Sequence, residues 1–140
     1  MRVLELFCGV NKSVGIVADA LGMDVTSVDI NPKAQPDLLL DILDFDESMY
    51  DPTYFQFIWA SPPCESYSTA RTFAKEDRDV AMERADRLVT KTRSIISYFS
   101  SAGCHWAIEN PLHSRIWSRD VSRGLLESSC ITSCCIFGKL

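Results

Sequence analysis

Long apolar runs are absent from this chain of 140 residues; none approaches the ~20 residues that a membrane-spanning helix needs. A leader layout is absent too, because the opening Met1-Arg2-Val3-Leu4-Glu5-Leu6-Phe7 carries an acid inside its short apolar run. These absences favour a buried first strand and a cytoplasmic or nuclear location. Paired Cys-x-x-Cys clusters are missing although there are six cysteines, which argues against a zinc module. Cys130, Cys134 and Cys135 are conceivable ligands together with His105 or His113. The stretch Ser129–Phe137 reads better as a buried strand, where free cysteine packs as a small hydrophobe, so no metal is expected. Repeats, linkers and low-complexity segments are also lacking, and the length suits one domain over 1–140.

Positive charge is scarce. The net charge of -5 speaks at first sight against a nucleic-acid partner. Its distribution qualifies that: residues 1–60 hold three Lys/Arg against ten Asp/Glu, and residues 61–140 hold eleven against nine. The acidic half, about 1–60, suits a nucleoside cofactor held through its hydroxyls. In the other half Arg71, Lys75, Arg78, Arg115, Arg119 and Arg123 are positioned either to face a phosphate backbone or to be scattered solvated charges.

What is present alternates strand and helix, which favours an α/β fold with a mostly parallel sheet and helices on both faces. Strands are expected at Val3–Phe7, Asp24–Asp29, Leu38–Leu40, Phe55–Ala60 and His105–Ile108, with a sixth starting near Cys130. A first helix over Lys12–Leu21 places Val14, Val17, Ala18 and Leu21 on one face and is closed by Gly22. A long second helix over Asp77–Ser101 carries Ala81, Ala85, Leu88, Thr92, Ile95, Ile96 and Phe99 as a core stripe and is stopped by Gly103. Residues His113–Leu126 form a less regular helical stretch.

Four features fall at the carboxyl ends of these strands, the edge at which open parallel sheets bind ligands. The loop Glu5–Gly15 offers Gly9 for close backbone approach and a helix N-terminus with free N–H groups. It lacks the Gly-x-Gly-x-x-Gly of dinucleotide folds, and Gly15 serves either a ligand or tight helix packing. Asp29 stands where an acid accepts from ribose hydroxyls, with a turn before Asn31-Pro32 as the plainer role. Asp41, with Ile42, is placed to take the amino group of a base, although it is one acid among several. The strongest feature is Ser61-Pro62-Pro63-Cys64, a stiff turn after a hydrophobic strand that presents a thiol. A purely structural cysteine needs no such presentation. Glu109, followed by Asn110-Pro111, leaves the neighbouring strand as a second stiff turn carrying an acid.

Together these residues resemble the DNA (cytosine-5) methyltransferase family, above all its short phage and large-DNA-virus forms. Leu6-Phe7-Cys8-Gly9 is similar to the family's cofactor loop, usually Asp-x-Phe-x-Gly-x-Gly. Ser61-Pro62-Pro63-Cys64 is similar to its Pro-Cys motif, and Ile108-Glu109-Asn110-Pro111 to its Glu-Asn motif. The run from Ala85-Asp86-Arg87-Leu88-Val89 to Tyr98-Phe99 is also similar to the short forms. The resemblance implies a Rossmann-like fold using S-adenosylmethionine, with Cys64 as nucleophile, Glu109 holding the cytosine ring and Asn110 orienting the nucleophile turn. It implies a cofactor site of Glu5, Phe7, Gly9, Ser13, Gly15, Asp29, Ile30, Asp41, Ile42 and Pro62, and nucleic-acid contacts from Ser68 and Arg71.

Departures accompany it. Asn11 replaces the second glycine and Glu5 the usual Asp. Relative to the family pattern, the C-terminal strand, an Arg-containing motif and the target-recognition region are expected to be missing after Leu140, so a homodimer or second chain would complete the site. The readings weighed are a DNA cytosine-5 methyltransferase, an inactive relic or binding module of the same fold, a tRNA cytosine-5 methyltransferase and, last, a nicotinamide-dependent oxidoreductase.

Overall fold

The computed structural model describes residues 1–67 and 75–125. Five strands, β1 (Arg2–Leu6), β2 (Asp24–Asp29), β3 (Leu38–Leu39), β4 (Phe57–Ala60) and β5 (His105–Ile108), pair all in parallel in the order β3-β2-β1-β4-β5. Among the described residues two helices complete the frame: α1 (Ser13–Ala20) between β1 and β2, and α2 (Lys75–Ser100) between β4 and β5. This is an α/β, Rossmann-like arrangement. From β1 the chain winds outward to β2 and β3, then returns to the other side of β1 for β4 and β5. Right-handed crossovers that run in opposite directions along a sheet set their helices on opposite faces. The packing agrees with that rule. Leu4, Leu6, Ile58 and Ala60 cluster with Ile95, Ile96 and Phe99 of α2, whereas Glu5, between Leu4 and Leu6, points to Gly15 of α1.

Local chemistry explains the boundaries. Gly22, in the left-handed region at φ 70, closes α1, with Gly22 N–H donating to the Asp19 carbonyl and Met23 N–H to the Ala18 carbonyl, both at 2.9 Å. That is the two-bond C-terminal motif that glycine favours. Gly103 and Cys104 repeat it on Ser100 and Phe99 at the end of α2. Thr92, fully buried among apolar neighbours, satisfies its hydroxyl on the Leu88 carbonyl one turn back, at 2.8 Å.

The structure moves some of the expected features. The face of α1 that packs on the sheet is Gly15 and Ala18, while Val17 is 49% and Leu21 67% exposed. Small residues let this short helix lie close over a sheet that already presents the bulk of Glu5. The fourth strand starts two residues later than expected, because Phe55 leaves the ladder to pack edge-on against Phe99 at 5.2 Å. The stretch after His113 forms two short 3-10 turns, Arg115–Ser118 and Asp120–Ser122. The expected sixth strand, with Cys130, Cys134 and Cys135, lies outside the described residues. Among the described residues, no helix is long and apolar enough to cross a membrane.

Candidate active site

A cleft of about 530 Å³ opens at the carboxyl ends of β1 to β4, at the point where strand order reverses on either side of β1. Phe7, Gly9, Asp29, Ile30, Asp41 and Ile42 line it, each of them a sequence candidate. Leu88, Ala85 and Arg84 of α2 form its far wall. The backbone of β1 turns sharply as it enters this space. Phe7 takes the left-handed conformation at φ 60, which disfavours a bulky residue, and it is held there by its N–H on the Val28 carbonyl at 2.9 Å. Gly9 is also left-handed at φ 62, and a side chain there would meet nothing within 4 Å. The space beside its backbone is open to a ligand.

Asp29 binds this loop to β2. Its Oδ2 accepts from Gly9 N–H at 2.9 Å and its Oδ1 from Asn31 N–H at 2.7 Å. Each carboxylate oxygen carries two lone pairs, so Asp29 holds the loop and keeps acceptor capacity toward the cleft. Asp41 caps the 3-10 turn Ile42–Asp44 by accepting from Leu43 N–H at 3.0 Å. Its other oxygen lies 3.6 Å from the Arg84 guanidinium, which bridges the cleft mouth.

Glu5 and Gly15 do not line this cleft. They face each other beneath α1, where Gly15 N–H donates to Glu5 Oε1 at 3.1 Å and Glu5 Oε2 is buried without a hydrogen-bond partner among the described residues. Burial, opposed by the Gly15 and Val14 N–H groups, pushes the Glu5 carboxyl above its ordinary value. A carboxyl with a raised folded-state pKa binds its proton more tightly folded than unfolded, so its contribution to stability is present at low pH and is lost as pH rises. Accordingly, the stability of the wild type relative to Glu5→Gln is expected to fall as pH rises from the ordinary glutamate range through the raised value. Urea midpoints measured between about pH 4 and 8 check this; a pH-independent difference would mean that Glu5 does not titrate abnormally. Pro62 is buried and stands outside the cleft lining, where Pro63 takes the place expected of it. Ser13 opens α1, and its side chain lies outside the described part, as do Ser68 and Arg71 altogether.

The second half of the site sits on β4 and β5. Ser61 N–H continues the ladder onto the Leu6 carbonyl at 3.2 Å, and its Oγ accepts from Trp59 Nε1 at 2.8 Å. The turn that follows leaves Cys64 half-buried. Glu109 N–H donates to the Ala60 carbonyl at 2.8 Å, so the acid departs from β5 beside the root of the cysteine turn, with its side chain exposed. Asn110 Nδ2 donates to the Pro62 carbonyl at 2.7 Å and ties the two turns together. Two other described cysteines, Cys8 and Cys104, are buried, and desolvation pushes both thiols up to about 11; neither is suited to act as a thiolate near neutrality.

Several neighbours escaped the sequence reading. Leu88 belongs to the expected core stripe of α2, but it also walls the cleft, and periodicity gives one stripe no means of marking two roles. Arg119, considered above for phosphate contact, lies against Asp86 instead, and Arg123 pairs with Asp120 at 2.7 Å. No spacing signal links positions 86 and 119.

No family model matches the chain. Over 72 residues it is 35% identical to a probable DNA (cytosine-5)-methyltransferase of Frog virus 3 (isolate Goorha), a match covering 51% of this chain and 32% of that protein. The chain thus spans about a third of the length of that relative. The likeness supports a methyltransferase kind of function, through part of the chain.

Proposed function

We propose that this protein is an S-adenosylmethionine-dependent cytosine-5 methyltransferase acting on DNA. The observation that carries the reading is the juxtaposition of a nucleoside-sized cleft with two stiff turns. One turn presents a half-buried thiol and the other an acid, and Asn110 joins them through the Pro62 carbonyl.

The cleft fits the cofactor by chemistry and by size. Its volume of about 530 Å³ lies within the ~300–1,000 Å³ usual for ligand sites. Asp29 and Asp41 offer acceptors for hydroxyl and amino donors, Phe7, Ile30, Ile42 and Leu88 offer apolar walls for a base, and Gly9 leaves its backbone accessible. S-adenosylmethionine held there supplies an electrophilic methyl group. The remaining work falls to the chain's own residues. Cys64 Sγ, as thiolate, adds to carbon 6 of the cytosine, and the ring electrons this displaces make carbon 5 nucleophilic. Glu109 holds ring nitrogen 3 and the exocyclic amine, stabilising the protonated ring as the thiolate attacks. After carbon 5 is methylated, its proton is lost to a base, and the electrons released from that bond expel Cys64. Asn110 keeps the cysteine turn in place throughout. In duplex DNA the target base must first leave the stack, at a cost of a few kcal/mol.

Transfer of labelled methyl from S-adenosylmethionine to duplex DNA, single-stranded DNA and transfer RNA tests the reading. Label on DNA cytosine is the expected result, with activity falling steeply as salt rises, because a chain of net charge -5 reaches phosphates only through local positive groups. Label confined to transfer RNA would move the substrate to RNA. No label from folded protein that binds S-adenosylmethionine would overturn the enzyme in favour of a binding module.

A further inference from the structure

Beyond the two turns, a half-buried polar relay links their far ends. Tyr67, three residues after Cys64, donates its N–H to the Cys64 carbonyl at 3.1 Å and its hydroxyl to Asp86 Oδ1 at 2.9 Å. Arg119 reaches the same carboxylate from the opposite side, with Nε at 3.2 and 3.0 Å from its two oxygens and Nη2 also on Oδ2. Arg119 belongs to the segment that follows the Glu109-Asn110-Pro111 turn. That segment is pulled back to the turn by Trp117 Nε1, which donates to the Pro111 carbonyl at 2.9 Å. Tyr67 is fully buried, and it packs with Ala85, Val89 and Ile116 in an apolar cluster distinct from the main core.

Packing alone does not ask for this chemistry. A phenylalanine at 67 would fill the same volume without having to satisfy a buried hydroxyl. A carboxylate that takes a tyrosine hydroxyl and a forked guanidinium together fixes three segments at defined separations, because charge-assisted and bidentate bonds tolerate little misalignment. Two of those segments carry the thiol and the acid.

We infer that Asp86, bound at once by Tyr67 and Arg119, is a positioning residue that sets the spacing of the Cys64 turn against the Glu109 turn. The inference rests on the proposed methyltransferase reading for its effect on rate, but not for its effect on the cysteine turn itself. Asp86 touches neither thiol nor base; it acts through Tyr67 on one side and through Arg119 on the other.

The test compares wild type, Tyr67→Phe, Asp86→Ala and the double variant. Misplacing a reacting group by about 1 Å costs on the order of 100-fold, so Asp86→Ala is expected to lower kcat by roughly that factor. Tyr67→Phe, which removes one hydroxyl and leaves the packing, is expected to lower it roughly fivefold or more. KM for S-adenosylmethionine and for DNA should stay within about twofold, because the relay lies off the cleft lining. The double variant should be no slower than Asp86→Ala, as expected of residues acting in one network. Alkylation by iodoacetamide, mapped to each cysteine by mass spectrometry, reads the turn without reference to activity. Cys64 should react at least about threefold faster in Asp86→Ala and measurably faster in Tyr67→Phe, while buried Cys104 stays protected, as local release of one unit requires. Unchanged kcat and unchanged Cys64 reactivity in both variants would overturn the inference, as would a parallel rise at Cys104, which marks loosening of the whole fold. If wild type transfers no methyl group, the enzyme reading fails, and the alkylation measurements alone decide the role of Asp86.

Discussion

Cys64→Ala is expected to reduce methyl transfer to background, a loss of at least about 10⁴-fold by comparison with removal of nucleophiles elsewhere. Binding of S-adenosylmethionine, measured by calorimetry, should stay within about twofold of wild type. The two expectations separate because the cleft takes its acid acceptors from the ends of β2 and β3, and although Ser61, Pro63, Glu65 and Ser66 of the cysteine turn line it, Cys64 itself does not. The fold should be indifferent as well. The half-buried thiol belongs to neither apolar cluster, and the turn is held by backbone and by Asn110 rather than by sulfur. Cys64→Ser should be as inactive as alanine, since an alcohol does not ionise in the range where a thiol does. Retention of more than about a hundredth of the activity in folded Cys64→Ala would remove the covalent mechanism, and loss of cofactor binding would show that the thiol itself supports the cleft.

Much of the architecture was legible because it follows from short-range chemistry. Asp24–Asp29 and His105–Ile108 fall where expected, and Gly22 and Gly103 end their helices as glycines at such positions do. In the cleft, Phe7, Gly9, Asp29, Ile30, Asp41 and Ile42 gather from three separate loops, because a parallel sheet brings the carboxyl ends of its strands to one edge. The acidic surplus of the first half was harder to read. Asp41, Asp46 and Asp51 each accept from the N–H two residues on, at 3.0, 3.0 and 2.8 Å, and turn formation alone accounts for such residues. Composition does not separate these acids from those that face a ligand; of the three, only Asp41 lines the cleft. The relay through Asp86 was illegible for a different reason. Its members stand 19 and 33 residues apart, and only the packing of α2 beneath both turns brings them together.

The pair formed by Glu5 and Gly15 joins sequence and structure most closely, and it yields the second large effect. A Cβ added at Gly15 would lie 2.5 Å from Glu5 Oε2. That oxygen ends a flexible side chain, but Glu5 is 2% exposed, and withdrawing toward the cavity of about 330 Å³ that it lines together with Gly15 would give up the Gly15 N–H bond. Gly15→Ala gains about 1 kcal/mol of helix propensity. Against this stand overpacking of about 1–3 kcal/mol and loss of a buried hydrogen bond worth about 1–3 kcal/mol. The net expectation is a destabilisation of about 1–5 kcal/mol, read from urea denaturation. Because α1 begins where the Gly9 loop ends, weaker cofactor binding should accompany it. The family pattern that this loop resembles places the shorter Asp at position 5. Glu5→Asp withdraws the carboxyl by one methylene, so Gly15→Ala combined with Glu5→Asp should recover most of the lost stability. A double variant as unstable as Gly15→Ala alone would mean that the glycine serves the backbone of α1, and not the room that a longer acid needs.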